Sequence, residues 1–182
     1  MEEDITQELK EKIEGVIESN RGWSNYLAIT TAIIAVLAAL ASLQSGTYAN
    51  SALLEKNSAI LLQSKASDQW NYYQAKGIKK NLAEGFLGQS SDPKLKQDVD
   101  RYSKEQQDIQ KQAQDFEKQV EESNTKSEKL FEKHHKLAYA ITLFQIAISL
   151  SAITALLKRK SLWYLSIVLT LAGLYFFGLG FV

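Results

Sequence analysis

No cysteine occurs among the 182 residues, which removes disulfides, thiolate metal sites and cysteine nucleophiles. Proline occurs once, at Pro93, within a cluster of turn residues. Neither sign of charge is in excess: 21 Lys and Arg balance 21 Asp and Glu. With no global field and no strongly basic face, nucleic acid is not expected as a partner. No nucleophile elbow or phosphate loop is visible, so the chain is not expected to be an enzyme, and no cofactor is implied. Charge is missing altogether from residues 23–43, 137–157 and 162–182. At ~1.5 Å per residue each can cross a ~30 Å hydrocarbon core. Membrane lipid is thus the first partner the sequence implies.

The first of these segments, WSNYLAITTAIIAVLAALASL, passes into a polar helical stretch without a break. Ala28, Thr31, Ala35, Ala38 and Ser42 fall at spacings of three and four, and the stripe continues as Ser45, Ala49, Ala52, Ala59, Ala66 and Tyr73. A phase that survives the change in polarity predicts one continuous helix. Small side chains on one face let another backbone approach closely, which is how helices associate in lipid. The segment follows some twenty acidic and polar residues and lacks a basic leader. It therefore reads as a retained anchor rather than a signal peptide.

Residues 1–22 place Ile5, Leu9, Ile13, Val16 and Ile17 at helical spacing among acidic side chains, which predicts a short amphipathic helix. Its acidic character suits a partner helix better than an anionic lipid surface. Asn20, Arg21 and Gly22 read as a break before 23–43. Residues 44–136 read as a helical hairpin with its turn at 85–93, where Gly85, Gly88, Ser90, Ser91, Asp92 and Pro93 cluster. Asp92 is placed to cap a helix whose first residue is Pro93. That second arm carries a heptad: Leu95, Val99, Tyr102, Gln106, Ile109, Ala113, Phe116, Val120, then Ser127, Leu130 and His134. The seam runs on into Leu137, Ile141, Phe144, Ile148 and Ser151.

The expected fold is all-α: three transmembrane helices, with a long antiparallel, coiled-coil-like hairpin between the first and second that extends ~60 Å at the helical rise. One arm offers small residues and the other larger apolar ones. Leu53, Leu54, Ile60, Leu61, Leu62, Trp70, Ile78 and Leu82 cover more than one face of the first arm. Such a surplus should be buried, most simply against copies of the same hairpin. The short turn at 158–161, with Lys158, Arg159 and Lys160, belongs in the cytoplasm by the positive-inside rule, leaving the amino terminus inside and the hairpin outside. Lys126, Lys129, Lys133 and Lys136 argue the other way, and the weight given to short loops favours the first orientation.

Three constellations are candidates for chemistry. Glu132 and His135, with Glu128 one turn away, have the spacing that aims ligands at a dinuclear metal in helical bundles, but such sites need further carboxylates. A solvated charged turn is the plainer reading, and no metal is assigned. Thr142, Gln145 and Ser149, with Ala152, share a face of 137–157 and form a candidate polar path. Packing contacts account for them more simply, since no ionisable residue lies within any of the three apolar segments. The cluster from Ser67 to Lys76, centred on Trp70, Tyr72 and Tyr73, has the composition of a recognition surface. The heptad phase of Ala66 and Tyr73 favours packing between the arms.

The run ASDQWNYYQAKGIK from Ala66 to Lys79, with the preceding Ala-rich span and the two closing apolar segments, resembles the bacterial membrane family catalogued as domain of unknown function 4337. The resemblance extends from about Trp23 over nearly the whole chain. It implies a bacterial inner-membrane protein of three spans with a helical extramembrane region, and it implies no activity. The function expected is that of a self-assembling scaffold or membrane-organising protein. Its interface would be the close-contact stripe Ala28, Ala35, Ala38, Ala52, Ala59 and Ala66, the aromatic pair Trp70 and Tyr73, and the knobs Val99, Tyr102, Ile109, Phe116 and Val120. The alternatives are a channel or transporter subunit using Gln145 and Ser149, and an accessory subunit that binds another membrane protein through the Trp70 cluster.

Overall fold

The structure, a computed structural model, describes residues 2–90 and 92–181, with the side chains of all of these except 2–6, 8 and 16–21. The described residues form three helices and no strand: α1 (Glu2–Leu87), α2 (Pro93–Leu157) and α3 (Lys160–Leu179). All three contain stretches long and apolar enough to cross a membrane. The expected break at Asn20, Arg21 and Gly22 is absent, and α1 runs through it. A single glycine lowers helix stability by only about 1 kcal/mol, too little to end a helix that is continued on both sides. Of the amphipathic segment at 1–22, the Ile5, Val16 and Ile17 side chains lie outside the described residues. Leu9 and Ile13 are exposed.

Both turns follow from local chemistry. α1 continues past Gly85 to Leu87, so the first turn is shorter than expected. There the Gly88 amide donates to the Glu84 carbonyl (3.1 Å) and the Ser90 amide to the Phe86 carbonyl (3.0 Å). Asp92 caps α2 as expected, its Oδ1 accepting the Lys94 amide at 2.9 Å, with Pro93 at the first helical position. Between α2 and α3 only Lys158 and Arg159 intervene. Lys158 takes φ 52°, the left-handed conformation that lets its amide close on the Thr154 carbonyl at 2.8 Å.

The chain divides into two units, Met1–Ala49 with Glu132–Val182, and Asn50–Phe131. In the first, Ile34 and Ala41 of α1 pack with Ala140, Phe144 and Ala147 of α2, and Leu169, Phe176 and Phe177 of α3 close over them. α3 meets α2 through small residues seven apart. The hydroxyl of Ser151 donates to that of Ser166 (3.2 Å). A Cβ on Gly173 would stand 2.6 Å from Phe144 Cε1, and one on Gly180 would stand 2.5 Å from Leu137 Cδ2. Large side chains of α2 thus fill space that glycine leaves open on α3. The second unit is an antiparallel pair, residues 50–87 of α1 against 93–131 of α2.

Candidate assembly surfaces

Within the second unit the inner seam of α1 is built from alanine. Ala52, Ala59 and Ala66 recur every seven residues and are buried, and the same line leads to half-buried Tyr73. Opposite them α2 presents Leu95, Val99, Tyr102, Phe116 and Val120, half-buried, and Ile109 and Ala113, buried. The Ser127 hydroxyl donates to the Ala52 carbonyl at 2.8 Å, and Gln106 Nε2 donates to the Tyr73 carbonyl at 3.2 Å. These anchors lie three heptads apart on each helix, so the pairing does not slip between them. A side chain can reach the facing backbone this way only where the intervening residue is small.

The aromatic cluster sits on this seam and locks it. Trp70 Nε1 donates to Glu117 Oε1 at 2.8 Å, and the Trp70 ring meets Tyr73 edge-on at 5.6 Å. Lys76 forms an ion pair with Glu105 and lies over the rings of Tyr72 and Tyr102. The hydrogen bond to Glu105, then that to Tyr72, raises the Lys76 ammonium above its ordinary range; the same Lys76 contact lowers the Glu105 carboxyl. Gly77 leaves room for the Gln106 amide: a Cβ there would lie 2.8 Å from Gln106 Nε2, the flexible end of its side chain, and would displace it.

The small-residue stripe therefore divides. Ala52, Ala59 and Ala66, together with the knobs, are consumed inside the chain. Ala38 is half-buried in the first unit, while Ala28 and Ala35 are exposed. The latter two line a shallow groove with Ser24, Thr31, Ser151, Ala152 and Ala155. The inner positions are taken instead by Leu27, Ile34 and Ala41. Their signal was available, for they stand seven apart and three or four residues from Thr31, Ala38 and Ser45. At the end of the same unit His134 Nδ1 lies 2.8 Å from Ser45 Oγ and 3.0 Å from the Ser45 carbonyl oxygen.

The candidate polar path is not enclosed by the chain's own helices. Thr142, Gln145 and Ser149 are exposed, and the two hydroxyls donate to the carbonyls of Ala138 and Gln145 on their own helix, at 2.9 Å each. Among the described residues no three His, Asp or Glu side chains converge as metal ligands. The His135 ring lies beside that of His134, with centroids 5.5 Å apart and the ring planes tilted by 55°.

What distinguishes the second unit is its outer surface. Leu53, Leu54, Ile60, Leu61, Ile78 and Leu82 are each more than half exposed, and Tyr72 and Phe86 are also exposed; all lie on α1. No large apolar side chain of α2 between 93 and 131 is exposed. Asp100, Lys104, Asp108, Lys111, Asp115 and Lys118 stand on its outside instead. Helices of this kind define an all-α protein with three apolar segments of membrane-spanning length. The chain belongs to the family described as Domain of unknown function (DUF4337), whose model matches residues 23–182. No curated protein and no solved structure matches it.

Proposed function

We propose that the chain is a three-span protein of the bacterial inner membrane, whose helical hairpin packs against copies of itself and so acts as a scaffold or membrane-organising component. In this reading residues 23–43, 137–157 and 162–182 cross the bilayer. Ile29, Ile33 and Val36 of α1 and Val168 and Leu171 of α3 are among the large apolar side chains that stand exposed there, a surface that lipid would cover. The amino terminus and the Lys158–Lys160 turn face the cytoplasm, and the hairpin lies in the periplasm.

The observation that carries self-assembly is the one-sided outer surface of the hairpin. An arm that needed only its α2 partner would carry charge on the outside, as α2 does. Copies held in one membrane bring equal heights of α1 together, apolar against apolar. The mass of the full chain purified in mild detergent, by light scattering with the detergent contribution subtracted, tests this. A discrete multiple of 20.4 kDa is expected. A monomer would overturn the proposal and direct the search to a different protein partner.

A further inference from the structure

The outer face of α1 between residues 50 and 87 carries a second seven-residue pattern, turned away from the seam with α2. Its centre line is Asn57, Ser64, Asn71 and Ile78, every one exposed. Beside it run Leu53, Ile60 and Ser67 on one flank and Leu54, Leu61 and Asp68 on the other, again all exposed. Among the described residues none of the polar members makes a side-chain hydrogen bond.

We propose that two copies of the chain meet along this face, parallel and in register, and that Asn57, Ser64 and Asn71 set the register. This rests on the self-assembly reading above and supplies its geometry. Helices that wrap around one another share a seven-residue repeat, and α1 has one on each side. About a two-fold axis between parallel helices, each centre-line residue meets its own copy. Amides and hydroxyls are at once donors and acceptors, so Asn57, Ser64 and Asn71 each pair with themselves. A charge on that line would oppose itself, and the line from Asn50 to Gly85 contains none.

The same axis sets each flank against the other flank of the second copy. Leu53 then meets Leu54 of the second copy, Ile60 meets Leu61, and Ser67 meets Asp68. Two of these contacts are apolar on both sides, and in the third a hydroxyl donates to a carboxylate. It is this match of the face to itself that favours a second copy over an unrelated helix. Asparagine at a core position is an attested device for fixing the register of paired helices.

The absence of cysteine makes the test direct. Asn57→Cys and Ile78→Cys, at the two ends of the centre line, and Lys111→Cys on the exposed side of α2 are each introduced singly into the full chain. The proteins are oxidised in mild detergent and resolved without reductant. Disulfide-linked dimer is expected as the main species from both Asn57→Cys and Ile78→Cys, and none from Lys111→Cys. Dimer from only one end overturns the proposal, because an antiparallel pair brings a residue onto its own copy only at the crossing point. Dimer from Lys111→Cys at a matching level overturns it as random collision. If the unsubstituted chain is an oligomer but neither end crosslinks, this seam is wrong and self-assembly stands; a monomeric mass removes the self-assembly reading itself.

Discussion

The two arms of the hairpin solve the same packing problem with opposite chemistry. α1 is small on its inner face and apolar on its outer face, whereas α2 is large on its inner face and charged on its outer face. The inner difference is complementary: alanine at every seventh position brings the backbones close enough for Ser127 and Gln106 to bond facing carbonyls. The outer difference has no such purpose within one chain. α2 is finished once it has paired with α1, while α1 still has a face to cover.

That comparison breaks most visibly at the large side of the seam. Ile109 is buried, at 6% exposure, and Ile109→Ala leaves a cavity between two long helices that have little else to collapse around. A loss of about 2–5 kcal/mol is expected, read as a lower midpoint in thermal unfolding followed by circular dichroism. The small side fails by the opposite route. Ala66 is fully buried, and Ala66→Leu forces extra carbons into the seam, for a loss of about 1–3 kcal/mol. If Ala66→Leu unfolds like the unsubstituted chain, the arms are not closely packed and the contrast between their inner faces has no energetic content.

Much of this was legible in the sequence, for physical reasons that also explain the rest. In the polar arms a heptad stands out because apolar residues are rare there, so Val99, Ile109 and Phe116 could be assigned to the seam from spacing alone. Pro93 behind Asp92 marked a helix start through the missing amide of one and the carboxylate of the other. In residues 23–43 every residue type is compatible with lipid, so polarity gives no contrast and only size remains. Size showed that a backbone could approach Ala28 and Ala35 but not that Leu27 and Ile34 would take the inner positions. Ser166, Gly173 and Gly180 carried the same kind of signal, seven apart in an apolar helix, and acquire meaning only once Phe144 and Leu137 are seen to fill the space beside them. On the face holding Thr142 and Ser149 spacing could not say where the hydroxyls bond, because a hydroxyl in an apolar helix can always turn back to a carbonyl of its own helix, as both do here. The missing break at Gly22 shows how little one glycine weighs against helix on both sides.

A smaller effect tests the polar lock across the arms. Lys76 of α1 holds the Glu105 carboxyl of α2 below its ordinary 4.5, and Glu105 raises Lys76 above its ordinary 10.5. A lowered acid contributes stability above its unfolded value and loses it as pH falls through the folded one. A raised base contributes below its unfolded value and loses it as pH rises through the folded one. Both contributions are therefore present at neutral pH. Glu105→Gln should lower the unfolding midpoint at neutral pH, by less than either core change because solvent screens the pair. The gap between variant and unsubstituted chain should shrink as pH falls below 4.5. A gap that is constant with pH would assign the contact to packing rather than charge.

The smallest effect on stability belongs to the outer face of α1, and it decides what that face is for. Leu61 is 59% exposed, so Leu61→Ser removes almost nothing that the isolated chain buries, and its own stability should move by no more than about 0.5 kcal/mol. Association also raises an unfolding midpoint, so the comparison is made at a dilution where the unsubstituted chain is monomeric by light scattering. At higher concentration the two should separate, the unsubstituted chain forming its oligomer and Leu61→Ser remaining smaller. Ala66→Leu should show the reverse pattern, with a lowered midpoint already in the dilute monomer. If Leu61→Ser assembles as the unsubstituted chain does, the apolar surplus on α1 is not a contact between copies, and the difference between the arms needs another partner to explain it.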